Sequence, residues 1–166
     1  TTEKEKTFLD FIKLVSPGTS LRSVIDDIIR SDLGALIVIS SKNLQSQNII
    51  EGGFRINSRF TAQKLFELCK MDGAIVISSD LKRILYANAL MNPDANIRSM
   101  ETGTRHKAAE RTAKQSQAFV IAISERRKKT TLYHGASRYY LKSTDELLRN
   151  ITSSLQILEK QREILT

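Results

Sequence analysis

One cysteine and two histidines among 166 residues leave no material for an intrachain disulfide or a zinc cluster. The single Cys69 sits in Leu65-Phe66-Glu67-Leu68-Cys69, the setting of a buried helical thiol rather than of a nucleophile. No apolar run reaches the roughly 18 residues of a membrane helix and no signal-like segment opens the chain, so the default expectation is a cytoplasmic protein. Aromatic residues make up only 6% and are not interleaved with basic ones, which argues against a base-stacking platform. The Walker pattern and the Gly-x-Gly-x-x-Gly fingerprint are both absent, so a nucleotide enzyme built on this chain must belong to another class. There is no internal repeat and no low-complexity linker. The chain opens on Thr1 rather than Met and reads as a piece of a longer one.

What is present is an ordinary soluble composition, 40% apolar and 27% charged, long enough for one domain with a substantial core. The formal charge of +8 suits a polyanion. It is concentrated: between positions 98 and 129 the basic residues are Arg98, Arg105, Lys107, Arg111, Lys114, Arg126, Arg127, Lys128 and Lys129, against Glu101, Glu110 and Glu125. Within that stretch, Arg126 and its three basic successors read as a solvated turn between two strands.

Hydrophobic periodicity predicts a helix over 3–15, ended by Ser16-Pro17-Gly18, and a second helix capped by Thr19. Near-unbroken apolar runs at 33–39, 74–78 and 118–123 predict strands covered on both faces. Positions 40–60 read as a polar stretch with a flexible Gly52-Gly53 point, 61–71 as a helix, and 84–87 as a short strand. Positions 88–103 read as mostly irregular. The alanine-rich segment 104–116 predicts a helix able to pack closely. Positions 130–133 pair back on the third buried strand, and 139–141 offer an edge strand. A final helix, capped by Ser143 or Thr144, carries an apolar stripe of Leu148, Ile151, Leu155, Leu158 and Leu165. That stripe either packs on the domain or leads into further domains. The expected fold is α/β: a single domain with a central mixed β-sheet surrounded by helices.

Two clusters carry chemistry. Asp72-Gly73-Ala74 puts a lone carboxylate where a helix hands over to a buried strand. Such a carboxylate is solvated, paired with its own backbone in a turn, or on a metal. Gly73 permits close approach to the backbone, and Ala74 keeps the wall small. The second cluster is Glu101-Thr102-Gly103-Thr104-Arg105-His106-Lys107 at a predicted helix start, where free amides and a Thr104 cap suit an anion. Arg105 can grip two phosphate oxygens, His106 can donate to phosphate or touch a metal, and Lys107 adds positive charge. Singly, His106 also fits a half-buried structural histidine and Lys107 a solvent-facing charge. Ser124 and Glu125 end a buried strand, where α/β sheets carry ligands. Ser124 offers a hydroxyl, and Glu125 could instead pair with Arg126 or Arg127.

In this order and spacing the chain resembles the diadenylate cyclase domain family, over nearly its whole length. The resemblance rests on Gly52-Gly53-Phe54-Arg55-Ile56-Asn57, on positions 65–74 ending in Asp72-Gly73-Ala74, on Ile84-Leu85-Tyr86-Ala87-Asn88, and on the blocks at 101–107, 109–111 and 118–127. It implies an enzyme that joins two ATP into cyclic di-AMP with release of two pyrophosphates, at a site formed between two facing subunits. It implies Mg²⁺ or Mn²⁺ held by Asp72. Arg105, His106 and Lys107 match the family's Arg-His-Arg signature for the triphosphate. Thr104 and Ser124 match phosphate contacts, Gly73, Ala74 and Glu125 fall in the nucleotide-binding blocks, and Met91 matches a position whose backbone lies against adenine. The implied organisation is a catalytic domain over 1–142, with 143–166 beginning a linker or spine. The implied partners are ATP, cyclic di-AMP and further copies of the chain, as a dimer or, in a full-length protein, an octamer. DNA binding is expected only from regions beyond this chain, and no membrane partner is expected.

Two positions depart from the pattern: Lys107 stands for the usual final Arg, and Ala108 for a common Thr. They leave open a second reading, a catalytically weakened adenine-nucleotide-binding or sensing module. A basic nucleic-acid module is the third reading, motivated by the charge between 98 and 129.

Overall fold

Four helices start on a hydroxyl supplied by the sequence. Thr7 caps α1 (Phe8–Leu14) in a reciprocal box with Asp10, Thr19 caps α2 (Ser20–Arg30), Ser41 caps α3 (Lys42–Ser46) and Thr61 caps α4 (Ala62–Cys69). In each, the side-chain oxygen accepts from the amide three residues on. The computed structural model describes residues 7–142 and 144–165. Positions 3–6 of the first expected helix lie outside them, as do the Ser143 or Thr144 cap and the side chain of Leu165.

The strands are β1 (Ala35–Ile39), β2 (Ile50–Glu51), β3 (Phe54–Arg59), β4 (Ala74–Ile77), β5 (Arg83–Met91), β6 (Phe119–Ile123), β7 (Thr130–His134) and β8 (Ser137–Leu141). They form one sheet in the order β2-β5-β4-β1-β6-β7-β8, with β3 also paired to β5. β1 and β4 run parallel and the other pairings are antiparallel, so the sheet is mixed as expected. α5 (Thr104–Ser116) and α6 (Thr144–Leu165) complete the chain.

Strands β1, β4 and β6 are buried along their whole length. Alternate side chains enter two cores: Ile37, Ile39, Ile75, Ile77, Phe119 and Ile121 face α1, α2 and α4, while Val38, Val76, Val120 and Ala122 face α3 and α5. Beneath α2, the buried Arg22 donates from Nη1 to the Val15 carbonyl at 3.2 Å and from Nη2 to the Lys142 carbonyl. Burial pushes the Cys69 thiol up to about 12, so it stays a neutral packing group.

Two expectations are corrected. The stretch 40–60 is not simply polar loop: it contains α3, β2 and β3. β3 reads Phe-Arg-Ile-Asn-Ser-Arg with most side chains exposed, so no apolar period marks it. The strand expected to end at Ala87 runs on to Met91, because the left-handed Asn88 (φ 50°) and a register shift swap its faces. Ile84 and Ala87 enter the first core, Ala89 and Met91 the second. The irregular stretch therefore begins after Met91. The apolar stripe of α6 does not pack on the sheet: Leu148, Ile151 and Leu155 are each 57% exposed.

Candidate functional site

The site forms along one edge of the sheet, where β1 and β4 begin and β6 ends. Ala35 pairs with Ile123, so that register carried one residue further sets Gly34 opposite Ser124. Leu36 pairs with Ala74, and the same extension leads from Gly34 to Asp72. Ala74 pairs with Ala89, which leads on to Met91. Met91 ends β5, Asp72 and Gly34 lie just before β4 and β1, and Ser124 follows β6, so all four lie at one end of four adjacent strands. Asp72 is exposed, and its carboxylate has no hydrogen bond or ion pair among the described residues. The turn in which it would bond its own backbone is not what the structure contains. Gly73 is left-handed (φ 93°), and a Cβ there would come within 2.9 Å of the Asn88 backbone, so only glycine lets β5 cross this closely.

Above this edge stands the start of α5. Its N-cap is Gly103, which contributes no side-chain hydrogen bond, and Thr104 is the first helical residue. The expected Thr104 cap is therefore absent, and the first-turn amides are left open to an anion. A pocket of about 330 Å³ opens beside them, lined by Glu101, Thr102, Gly103, Arg105, His106, Ser124, Glu125, Arg126 and Arg127. Arg105 Nη1 donates to the Ile123 carbonyl at 3.2 Å. Ser124 Oγ accepts from the Arg127 amide at 3.2 Å, leaving its proton free to be donated. Burial pushes the His106 imidazole below the ordinary histidine value; Glu101 opposes that, and Arg105 and Arg127 add to it. At neutral pH His106 is a neutral ring among guanidinium groups.

The segment 94–100, which leads into the pocket residues, is tied to α5. Glu110 accepts from Ser99 Oγ at 2.6 Å and the Met100 amide at 3.0 Å. Arg111 Nε reaches the Ile97 carbonyl, Lys114 Nζ the Arg98 carbonyl, and Gln115 Oε1 accepts from the Asp94 amide. Burial works to raise the Glu110 pKa, but Ser99, Lys114 and Met100 together bring it below the ordinary glutamate value. Glu101 is held by Arg138 at 2.7 Å across to β8.

A family model described as DisA bacterial checkpoint controller nucleotide-binding matches residues 22–138. The chain belongs to this family. The DNA integrity scanning protein DisA of Clostridium kluyveri is 46% identical over 163 residues, covering 98% of this chain and 46% of that protein. The protein of the same description from Bacillus pumilus is 47% identical, covering 98% of this chain and 45% of that one. The chain thus spans a little under half the length of these curated relatives. Two solved structures share its fold. One, described as a hypothetical membrane spanning protein from Bacillus cereus, has a TM-score of 0.67 at 22% identity, covering 81% of this chain and 70% of that one. The other, DacA from Staphylococcus aureus, has a TM-score of 0.63 at 23% identity, covering 88% and 97%. Among the described residues, no helix is long and apolar enough to cross a membrane.

Within this DisA-family domain the structure gathers Arg105, His106, Ser124 and Glu125 into one pocket and sets Asp72, Gly73, Ala74 and Met91 along the neighbouring strand ends. Lys107 and Thr104 do not line the pocket; Lys107 is exposed and has no side-chain partner among the described residues. Glu125 pairs with neither Arg126 nor Arg127. Among the described residues, no group of three or more His, Cys, Asp or Glu is placed to hold a metal ion. Two features escaped the sequence. The basic turn, read as merely solvated, lends Arg126 and Arg127 to the pocket wall. Gly34 lies directly under the Arg105 guanidinium, and nothing near it in the chain signals that.

Proposed function

We propose that this domain is a diadenylate cyclase, condensing two ATP into cyclic di-AMP across two facing subunits. The observation that carries this reading is the placement of an unpaired Asp72 at the same end of the sheet as a pocket of convergent guanidinium groups. Arg105, Arg127 and the open amides of α5 hold the triphosphate, with Ser124 donating to it. The backbone around Met91 receives the base at the other end of the row.

A lone carboxylate is a poor cage for a divalent ion but a fitting anchor for one that takes its other ligands from phosphate and water. Asp72 fits that role, and Mg²⁺ or Mn²⁺ held there would supply Lewis-acid polarisation and favour the ionised hydroxyl. The 3'-hydroxyl oxygen of one ATP forms a bond to the α-phosphorus of the other, the bond to pyrophosphate breaks, and the hydroxyl proton is released; the reciprocal step closes the ring. Two triphosphates carry roughly eight negative charges, and dividing them between symmetric subunits halves what each pocket must neutralise.

The test is incubation with ATP and either metal, followed by chromatographic separation of the nucleotides. Cyclic di-AMP should form, vanish on chelation, and be absent with Asp72→Asn although that variant still binds ATP. Specific activity should rise with protein concentration wherever the assembly is partly dissociated. Firm ATP binding without turnover under both metals overturns the cyclase and leaves a nucleotide-binding module.

A further inference from the structure

We propose that Gly34 is a positioning residue for Arg105: its missing Cβ is the space in which the guanidinium lies. An ideal Cβ at Gly34 would stand 2.1 Å from Arg105 Nη1, 2.9 Å from Cζ and 3.1 Å from Nη2. No heavy atom tolerates the first of these distances, so any side chain at position 34 displaces the cation. Elsewhere the glycines serve other ends. At Gly53 and Gly73 the obstacle is main chain, at the left-handed Gly135 it is the Gln117 side chain, and at Gly18, Gly52 and Gly103 no atom lies within 4 Å. Gly34 is not left-handed, so its backbone does not itself require glycine.

The main chain therefore shapes the cation from two sides. The carbonyl of Ile123, on β6, fixes one N–H at 3.2 Å, and the missing Cβ of Gly34, just before β1, leaves room beside Nη1. The remaining N–H groups of Arg105 have no acceptor among the described residues, and the side chain lines the pocket. A long, rotamer-rich side chain held in this way loses less freedom when it grips an anion. The geometry stands by itself; its consequence for affinity rests on the nucleotide reading above.

The experiment is a double-mutant cycle on the whole chain with Gly34→Ala, Arg105→Ala and the pair, titrated with a non-hydrolysable ATP analogue and Mg²⁺. Gly34→Ala should weaken binding about tenfold while melting no lower than the parent, since alanine at an ordinary φ trims the freedom of the unfolded chain. In the Arg105→Ala background the same change should cost nothing further. A parent-like dissociation constant for Gly34→Ala, or losses that multiply in the pair, overturns the proposal.

A second arm needs no nucleotide. The Arg105 Nε–Hε resonance, assigned by its loss in Arg105→Ala, should shift in Gly34→Ala; an unmoved resonance overturns the proposal. If the parent fails to bind the analogue, the nucleotide reading falls while this resonance still decides the geometry. If Gly34→Ala alone does not fold, the pair should fold, because the space is vacated; failure of both to fold assigns Gly34 to the strand and overturns the proposal.

Discussion

Across one face of the sheet the core is dominated by Ile37, Ile39, Ile75, Ile77, Phe119 and Ile121; across the other, Leu44, Ile49, Met91 and Tyr133 surround a patch of Ala74, Ala89, Ala109, Ala113, Ala118 and Ala122. The first face is thick, and none of its helices lends a side chain to the pocket. The second is thin where α5 crosses it. Its small residues let α5 sit close to the sheet, so that a side chain from its first turn can rest on the main chain of β1. Among the described residues, the buried polar side chains on helices follow the same division, with Glu110, Thr112 and Ser116 on α5 and Arg22 on α2; Thr130 and Thr131 are buried on β7. Bulk supplies stability on one side, and closeness supplies position on the other.

The largest effect expected from this contrast is on the thick face. Phe119 is fully buried and stacks on Phe11 at 4.9 Å, so Phe119→Ala should cost about 3–5 kcal/mol in denaturant unfolding. The folded fraction should keep its nucleotide affinity; a parallel fall in affinity would break the division of labour. On the thin face, Ala113→Leu should cost less stability, about 1–3 kcal/mol, yet lift α5 and weaken nucleotide binding out of proportion. Titration calorimetry beside thermal melts reads both quantities.

Acidification sharpens the contrast further. The folded pKa of Glu110 is depressed, so its contribution is complete above the ordinary glutamate value and is lost as pH falls through the folded one. The protection of the Met100 amide, measured against its intrinsic exchange rate at each pH, should fall over that acid window, and Glu110→Gln should abolish the step. The smallest effect belongs to Lys107→Arg. With Lys107 exposed outside the pocket, turnover and affinity should hardly move, and a clear gain in activity would show that the side chain reaches phosphate in the assembled site.

How much of this could be read in the sequence follows from how local each signal is. α5 matches its expected bounds because alanine content and periodicity agree over its whole length. β1, β4 and β6 were legible because strands covered on both faces must be apolar throughout. β3 was hidden by exposure, and the second half of β5 by Asn88, which breaks the alternation that a reader follows. In the site, Arg105, His106 and Ser124 were visible as short motifs. Gly34 was not, since its partner lies on another element and the role is an empty volume rather than a chemical group. Arg126 and Arg127 lie in the exposed turn that was expected, but their place in the pocket wall was not legible, because a run of like charges at a hairpin looks the same whether or not one side of it meets a pocket.

The anchoring of residues 94–100 to Glu110, Arg111, Lys114 and Gln115 bears on the kinetics of capture. Four side chains of α5 hold this segment, so it moves with the helix that also gives Arg105 and His106 to the pocket. If the pocket takes a nucleotide as proposed, association at its basic mouth should slow as salt screens Arg105, Arg126 and Arg127.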